Sequence, residues 1–402
     1  MSRLRVAVVS TFFPNASAPY RTLFVQHLVS ALADHADITV VAPIPYAPPW
    51  PKRPRWTALR QVPYVARSGV SPVEHPRYIV IPKVPAFSGL TYALAVAPAL
   101  RRAAAAGGID VIHVHCAYPD AVGVALVARA LGIPFVITTH GSDINIYAMR
   151  KSLRRQIRWA MSQAAAIIAV SEDLRTKICT LAPGLAPRVL CIPCSGVNPA
   201  VFQVGEQSGG RAEHGLDPMA RVALFVGNLV PIKGLDTLLE AWRILVANGS
   251  IGARDRLIFI GDGPLRTHVV EAAASVTLAG TLKVLGPLPQ GQIASWMRAA
   301  SVLCLSSLHE GMPNVVVEAL ASGLPVVATA VGGIPTLVTP AVNGYLVPSG
   351  DPGQLAEALT RAFDRKWDAR QIAVTVAGYN WTALAARNLE VLVSAVPVQT
   401  IR

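Results

Sequence analysis

Short apolar runs and helical repeats alternate along the first half of the chain. Runs with the length and composition of buried strands occur at residues 5–10, 37–43, 109–115, 134–139, 165–170 and 188–192. Between the first two runs, Leu28, Val29 and Leu32 have helical spacing. Strands that alternate with helices predict βαβ units around a parallel sheet.

The same alternation returns in the second half. Strand-like runs lie at residues 222–226, 256–260, around 284, 302–305 and 325–329. Helical patterns lie at 235–246, from about 265, at 292–300 and at 314–322, and residues 367–401 are mainly helical. The chain is therefore predicted to be α/β, with two doubly wound Rossmann-like domains in tandem.

Two irregular segments interrupt this pattern. Gly205, Gly209, Gly210 and Gly215 indicate a linker at residues 201–216, which divides the domains 1–200 and 217–375 and leaves 376–402 as a C-terminal helix. Residues 43–85 are basic and rich in proline, and we expect them to be too irregular for a core. This segment is either a functional loop or a solvated excursion, and both interpretations stay open.

Composition narrows the class of protein. The 402 residues are 52% hydrophobic and 15% charged, which excludes disorder and favours large buried sheets. A net charge of +13 predicts an anionic partner, such as a membrane surface or a phosphorylated substrate. Nucleic acid is not expected, because no nucleic-acid-binding motif occurs. Five cysteines without a disulfide framework fit a reducing compartment.

No membrane span or signal peptide is expected. The start of the chain lacks a long apolar core, and proline and glycine break the uncharged stretch 319–350. We expect a cytoplasmic protein. A basic helix after residue 149 suits the inner face of an anionic membrane, although a solvated helix face is equally consistent; its cations are Arg150, Lys151, Arg154, Arg155 and Arg158.

The candidate chemistry centres on two carboxylates. Glu310 and Glu318 lie eight residues apart beside a stretch, 319–350, that has no charged residue. Helical spacing places Asn314, Glu318 and Ser322 on one stripe of a largely apolar helix. Glu318 either forms an ion pair with a distant cation or, with Glu310, accepts hydrogen bonds from ligand hydroxyls. The adjacent helix N-terminus would suit the phosphates of that ligand.

Several other activities lack their motifs. There is no GxGxxG loop, no Walker A loop and no Asp-x-Asp pair, so dinucleotide oxidation and a metal held by such a pair are not indicated. No G-x-S-x-G motif supports serine hydrolase chemistry. A glycoside hydrolase is disfavoured because one carboxylate belongs to a buried helix start. Lys233 is a candidate phosphate ligand, or else a surface lysine.

In order along the chain, a set of motifs resembles the retaining glycosyltransferases of the GT-B fold, family GT4. The resemblance rests on His113-Val114-His115, His140-Gly141-Ser142-Asp143, residues 227–234, Gly261-Asp262-Gly263-Pro264, the E-x7-E spacing of Glu310 and Glu318, Gly332-Gly333-Ile334-Pro335 and Asn343-Gly344. It implies two Rossmann-like domains that face each other across a cleft. Residues 1–200 would form the acceptor side and 217–375 the nucleotide-sugar side, and 376–402 would pack back on the first domain.

The resemblance also implies roles for residues. His140, Glu310 and Lys233 would be catalytic, with Glu310 on the donor sugar and Lys233 on the departing diphosphate. Asp143 and Arg21 would lie on the acceptor side. The donor would be bound by Gly227, Asn228, Lys233, Gly263, Glu310, Gly311, Met312, Asn314, Val315 and Glu318, the last of which would hold the ribose hydroxyls.

The implied activity is metal-independent transfer of a sugar, with retention, from a UDP- or GDP-linked donor. No cofactor is expected. The acceptor would be lipid-linked or a saccharide, in cell-surface polysaccharide or glycolipid synthesis. The alternative is a non-catalytic protein of the same fold that binds an anionic glycan or a partner. Two departures from the family pattern are Asn228, where arginine is usual, and residues 18–21, which replace a glycine-rich loop.

Overall fold

The structure, a computed structural model, describes residues 3–18, 23–48, 54–68, 71–81, 84–278 and 280–397. Its contacts divide the chain into two compact units. Unit 1 comprises residues 1–194 and 381–402, and unit 2 comprises residues 195–380. Each is an α/β unit built on its own parallel sheet, as the alternating pattern predicts.

Unit 1 contains ten strands among the described residues. They are β1 (Leu4–Ser10), β2 (Ala36–Val41), β3 (Ile44–Pro45), β4 (Val65–Ser68), β5 (Ser71–Glu74), β6 (Arg77–Tyr78), β7 (Val111–His115), β8 (Phe135–Thr139), β9 (Ala166–Ala169) and β10 (Val189–Cys191). Eight form a sheet in the order β10-β9-β8-β7-β1-β2-β5-β4, in which only β4 is antiparallel to its neighbour. The central strand β1 is buried from Val6 to Ser10, because helices cover both faces of such a sheet.

The helices before the second unit are α1 (Leu23–Leu32), α2 (Pro54–Gln61), α3 (Ser88–Ala106), α4 (Val122–Leu131), α5 (Ser142–Asn145), α6 (Lys151–Gln163) and α7 (Glu172–Leu181). Short 3₁₀ turns lie at Pro85–Phe87, Tyr147–Met149 and Pro183–Arg188, and a π-helical turn lies at Ala117–Ala121. In α1, the buried residues Leu28, Val29 and Leu32 confirm the helical spacing read from the sequence.

The expectation that residues 43–85 stay outside the core is wrong for part of this segment. Strand β5 pairs with β2, and Val73 within it is completely buried. His75 is also buried, and its Nδ1 lies 2.9 Å from the carbonyl oxygen of Ala42. The short β5 adds its row of hydrogen bonds to an existing parallel sheet, which compensates for the weak strand pattern of the sequence. Two cations of the segment 43–85, Lys52 and Arg53, lie outside the described residues.

Unit 2 repeats the architecture with six parallel strands. They are β11 (Val222–Val226), β12 (Arg256–Ile260), β13 (Leu282–Gly286), β14 (Val302–Leu305), β15 (Val326–Thr329) and β16 (Gly344–Val347), in the order β13-β12-β11-β14-β15-β16. The helices are α8 (Gln207–Glu213), α9 (Leu235–Ala247), α10 (Arg266–Ala274), α11 (Gln290–Ala299), α12 (Asn314–Ala321), α13 (Pro352–Asp364) and α14 (Ala369–Val374). Further 3₁₀ turns lie at Pro231–Lys233 and Ile334–Thr336.

The segment predicted as a linker, residues 201–216, contains helix α8 and belongs to unit 2. Arg211 of this helix is buried and hydrogen-bonds to Ala299 and Ala220, so its side chain attaches α8 to the body of the unit. Sequence pattern could not show this, since the helix is short and glycine-rich.

The last helix, α15 (Trp381–Ser394), returns to unit 1. Its buried residues Leu384, Ala385, Val391 and Leu392 share one hydrophobic cluster with α1 and with strands β1 and β2. The chain therefore closes its first core with its final helix. In the described part of the chain, no helix is long and apolar enough to cross a membrane.

We expect Leu392→Ala to lower the free energy of unfolding by about 2–5 kcal/mol, because it opens a cavity in this cluster. Val393→Ala, on the same helix, is the matched control, since Val393 is 43% exposed. The control should change stability by less than about 0.5 kcal/mol. Urea denaturation followed by circular dichroism measures both, and equal effects would contradict the packing of α15.

Candidate functional site

The candidate donor-binding residues of unit 2 gather at the carboxyl ends of two neighbouring strands. Strands β11 and β14 are adjacent, with Ala223 opposite Val302. The loop after β11 carries Lys233, and the loop after β14 carries Glu310. The loops that follow neighbouring parallel strands lie at the same edge of the sheet, which is where such folds bind ligands.

An ion pair joins these two loops. Lys233 Nζ lies 2.5 Å from Glu310 Oε1, and the two side chains are 18% and 10% exposed. Ser307 Oγ donates to the same oxygen at 2.7 Å. No described residue donates to Glu310 Oε2. Since an ammonium group has three donors, Lys233 retains two for another partner.

The backbone holds the two loops against each other. Ser306 Oγ donates to Lys233 O at 3.0 Å, and Leu308 N donates to Ile232 O at 2.8 Å. Gly234 has φ +60°, and a Cβ there would lie 2.1 Å from Ser306 O, so only glycine fits this approach. The position of Lys233 is therefore fixed by more than its own ion pair.

The loop after β15 supports Glu310 from the other side. Gly332 has φ +58°, and a Cβ there would lie 2.2 Å from Glu310 O. Gly333 N donates to Gly311 O at 2.6 Å. Next along the chain, Met312 is buried and its carbonyl accepts from Ser195 Oγ at 2.8 Å. The Gly332-Gly333 pair thus allows the backbones to pack closely beside Glu310.

Helix α12 begins directly after this loop. No side chain caps its N-terminus. The first backbone amides of a helix, here those of Asn314 and Val315, have no intrahelical acceptor and carry the positive end of the helix dipole. The side-chain oxygen of Asn314 is buried without a hydrogen-bond partner in the described part of the chain. The start of α12 therefore offers donors and one acceptor to a polar ligand.

Glu318 lies one turn further along α12. It is partly buried, and burial raises the pKa of its carboxyl group to about 7. No described residue forms a hydrogen bond or an ion pair with this carboxyl group. The ion-pair interpretation of Glu318 is therefore wrong for the described residues, and the carboxyl group is left without a protein partner.

Three further candidates lie in the loops after β11 and β12. Gly227 N donates to Ile260 O at 3.0 Å, which joins the loop after β11 to the end of β12. Gly263 approaches the backbone of Leu229 so closely that a Cβ would lie 2.4 Å from Leu229 O. The side chain of Asn228 is exposed, at the position where the family usually has arginine.

In unit 1, His140 follows the carboxyl end of β8. Its Nε2 lies 3.1 Å from Nδ1 of His115, at the end of the neighbouring strand β7. The rings of Phe12 and Phe24 lie 5.4 and 5.0 Å from the His140 ring. Burial lowers the pKa of His140 to about 3, so the imidazole is neutral near pH 7. Its Nδ1 is buried without a hydrogen-bond partner among the described residues.

Asp143 holds the turn that carries His140. It is fully buried, and its carboxylate accepts from the backbone amides of Ala117, His140, Gly141 and Ile144. This geometry gives Asp143 a positioning role, whereas the acceptor contact implied by the resemblance stays a prediction. Arg21 lies outside the described residues.

The sequence analysis missed a second buried carboxyl group in unit 1. Asp120 accepts from Thr11 N at 2.7 Å and from the hydroxyl of Tyr92 at 2.8 Å. Burial raises its pKa to about 7. The network joins the loop after β1 to helix α3 and to the turn before α4. An isolated Asp in an apolar region was the available signal.

The described residues contain no metal-binding site. No group of three or more His, Cys, Asp and Glu residues is arranged there to hold an ion. The metal-independent reaction stays a prediction, as do the individual roles of the site residues.

Two family models match the chain. Residues 22–200 match the model described as Glycosyltransferase Family 4, and residues 220–365 match the one described as Glycosyl transferases group 1. The two matches fall within units 1 and 2 respectively, apart from the first residues after 194.

Two similar glycosyltransferases align with most of this chain. The TuaC glycosyltransferase of Bacillus subtilis (strain 168), named for teichuronic acid biosynthesis, is 30% identical over 370 residues, which cover 89% of each chain. A D-inositol 3-phosphate glycosyltransferase of Frankia alni is 33% identical over 297 residues, which cover 69% of this chain and 72% of its own.

Solved structures share the fold. HepE of Anabaena, solved in complex with UDP, matches with a TM-score of 0.72 at 20% identity, over 97% of this chain and 100% of its own. Sucrose-phosphate synthase of Thermosynechococcus elongatus matches with a TM-score of 0.73 at 21% identity, over 96% and 98%. Both units of the chain thus have the sheets of GT-B enzymes, and the chain is a glycosyltransferase that belongs to family 4, the group 1 glycosyltransferases.

Proposed function

We propose that this glycosyltransferase moves a sugar from a nucleoside-diphosphate sugar, UDP- or GDP-linked, to a lipid-linked or saccharide acceptor. The reaction retains the configuration at the anomeric carbon and needs no metal ion. The observation that carries the proposal is the cluster at the carboxyl edge of the second sheet, where Lys233, Glu310 and the uncapped start of α12 meet.

The cluster suits a diphosphate leaving group. Breaking the bond between the anomeric carbon and the phosphate oxygen builds negative charge on that oxygen. Lys233 and the amides of Asn314 and Val315 supply a cation and donors that are already in place before charge develops. Such preorganised donors lower the barrier because they need not reorient during the reaction.

Glu310 and Glu318 bind two other parts of the donor, the transferred sugar and the ribose. Glu310 Oε1 is held by Lys233 and Ser307, which leaves Oε2 to accept from hydroxyls of the transferred sugar. Glu318, one turn into α12 and without a protein partner, accepts from the ribose hydroxyls. A partly buried carboxyl group without a partner is costly, so a ligand that bonds to it accounts for its place in an apolar helix.

His140 takes the role that the resemblance gives it, a contact of the donor sugar. Because it is neutral near pH 7, it can both donate and accept hydrogen bonds. His115 fixes the orientation of its ring, and Asp143 fixes the turn that carries it.

The name of one relative favours an acceptor from cell-surface polysaccharide synthesis. TuaC is named for teichuronic acid biosynthesis, and the Frankia relative is named as a D-inositol 3-phosphate glycosyltransferase. HepE, which has the same fold, was solved with UDP and also with UDP-glucose. The ligands of HepE support a nucleotide-sugar donor, and the name of TuaC supports a saccharide acceptor.

A surface of unit 1 supports attachment to an anionic membrane. Large hydrophobic side chains that are 40–69% exposed cluster in its sequence at Ile79, Val80, Ile81, Val84, Phe87, Leu90 and Leu94. Helix α6 lies beside this segment, because Gln156 Nε2 donates to Ala86 O at 3.0 Å. Exposed large hydrophobic side chains that are grouped along one segment are typical of an interaction site.

The charged residues of the two sequence segments that carry this patch and helix α6 are all basic. No Asp or Glu occurs from residue 75 to 109 or from 144 to 171. Exposed cations of α6 include Lys151, Arg155 and Arg158, which form no ion pair with described residues. Basic side chains next to exposed apolar ones suit the headgroups and acyl boundary of an anionic leaflet.

A panel of UDP- and GDP-linked sugars should give turnover with at least one donor in the presence of lipid-linked acceptors. Lys233→Ala should lower kcat by about 10²- to 10³-fold, as the loss of a transition-state donor does. Glu310→Ala should also lower transfer. Lys283→Ala, an exposed lysine of the same unit, is the control and should keep wild-type rates.

Failure of the whole panel, with neither transfer nor donor hydrolysis, would contradict the proposal. A Glu310→Ala variant with full transfer would remove the role given to that residue.

The pH dependence of kcat/KM should rise through about pH 7, because Glu318 must lose its proton to accept two ribose hydroxyls. Below this pH the carboxyl group is protonated and donor binding weakens. Glu318→Gln should remove the rise at about pH 7 and lower kcat/KM above it. Glu357→Gln, an exposed acid of the same unit, should keep the wild-type profile. An unchanged rise in Glu318→Gln would show that another group titrates.

Vesicles of phosphatidylcholine and phosphatidylglycerol should sediment the protein at low salt and release it as salt increases. The triple variant Lys151→Glu, Arg155→Glu, Arg158→Glu should lose this binding. The control Arg129→Glu, Lys283→Glu, Arg370→Glu makes the same change in net charge at exposed positions outside α6 and should still bind. Equal loss in both triple variants would indicate that only net charge matters.

A further inference from the structure

A cavity of about 660 Å³ lies in unit 2 at the opposite edge of the sheet from Lys233 and Glu310. Its wall includes the residues that precede β11, β14 and β15, namely Arg221, Ser301 and Pro325. These strands have four or five residues, so at about 3.3 Å per residue the two edges are roughly 13–17 Å apart. The cavity is therefore separate from the candidate donor site.

The wall of this cavity is strongly basic. Six cations line it and no Asp or Glu does; they are Arg211, Arg221, Arg254, Arg298, Arg365 and Lys366. Of the nearby carboxylates, one pairs with a cation of the wall and two accept from backbone amides. Asp364 pairs with Arg221 at 2.7 Å, Asp217 accepts from the amide of Met219, and Asp368 caps α14.

One of these cations is buried and hydrogen-bonds to no carboxylate, although the negative charge of Asp217 acts on it from nearby. Arg211 is 8% exposed, and its guanidinium donates to the carbonyl groups of Ala299, Pro218 and Ala220 and to the hydroxyl of Ser301. All of these acceptors are neutral. The guanidinium group of Arg211 therefore has hydrogen-bond partners, but none of these partners is a carboxylate that would neutralise its charge.

Three more cations have no partner. Arg254, Arg298 and Lys366 form no hydrogen bond or ion pair with described residues. Arg298 is only partly exposed and packs over Gly205, where a Cβ would lie 2.4 Å from its Cδ. Its guanidinium is thus held against the wall of the cavity with its donors free.

Helix dipoles offset only part of this charge. The C-terminal ends of α11, α12 and α13 reach the cavity through Arg298, Ser322 and Phe363. At roughly half an elementary charge each, three helix ends offset about one and a half cations. With Arg221 paired to Asp364 and Arg211 offset by Asp217, about four cations remain, so a net positive charge of about two or more is left.

We propose that this basic cavity is a second anion site, which binds a phosphate group of a ligand other than the sugar donor. Five of the six cations are arginine, whose planar guanidinium matches phosphate oxygens in pairs. The volume exceeds that of a bare phosphate and is typical of sites for small organic ligands. The ligand is a free phosphate ester or the phosphate of a lipid headgroup.

Calorimetric titration with inorganic diphosphate tests the site in the chain of 402 residues. The wild type should show two binding phases, one at each edge of the second sheet. The triple variant Arg254→Ala, Arg298→Ala, Lys366→Ala should weaken one phase about tenfold or more. Lys233→Ala should leave that phase unchanged and weaken the other. Circular dichroism should show that all variants are folded.

The same isotherm for the wild type and the triple variant would overturn the inference. Loss of a phase in the triple variant, with no effect of Lys233→Ala, would support this cavity and contradict the proposed donor site, so the two failures are distinguishable. Vesicles of phosphatidylcholine with phosphatidic acid separate the ligand sources. If the triple variant also sediments less with them, the site takes a lipid phosphate; if only diphosphate binding falls, it takes a soluble one.

Discussion

The ion pair between Lys233 and Glu310 is the interaction on which the site of unit 2 depends. It joins loops from adjacent strands β11 and β14, although the two residues are 77 positions apart. Parallel pairing of the strands brings the loops to one edge, and the glycines at 234 and 332 let their backbones approach. The buried sheet thus places Lys233 and Glu310 side by side, although they are far apart in the sequence. Because the site is already formed before a ligand binds, little binding free energy is lost to ordering its side chains.

The carboxyl groups at the two candidate sites differ in how fully they are hydrogen-bonded. In unit 1, Asp143 and Asp120 have their oxygens bonded to backbone amides or hydroxyls, and they support the loops around His140. In unit 2, Glu318 has no such partner, and Glu310 shares only one of its oxygens. Satisfied groups stabilise a scaffold, whereas an unsatisfied one is retained where a ligand completes its hydrogen bonds. This contrast separates positioning residues from candidate binding residues in this enzyme.

Much of the fold was predictable because buried parallel strands leave a clear apolar signal. The expected strand at 302–305 and the helix at 314–322 correspond to β14 and α12. Strand β5 was missed, since a proline-rich segment gains its hydrogen bonds only when β2 is already present. For the candidate site, motif order selected Lys233, Glu310 and Glu318, whose roles stay predictions. It could not show that Lys233 pairs with Glu310 or that Asp143 faces backbone amides, because those contacts depend on loop geometry.

The central claim is that the start of α12 binds the nucleoside diphosphate of the donor. A crystal structure of the chain grown with UDP or GDP measures this most directly. The predicted result has the diphosphate at Lys233 and the amides of Asn314 and Val315, with the ribose hydroxyls within hydrogen-bond distance of Glu318. A nucleotide bound elsewhere, or a ribose that does not contact Glu318, would contradict it.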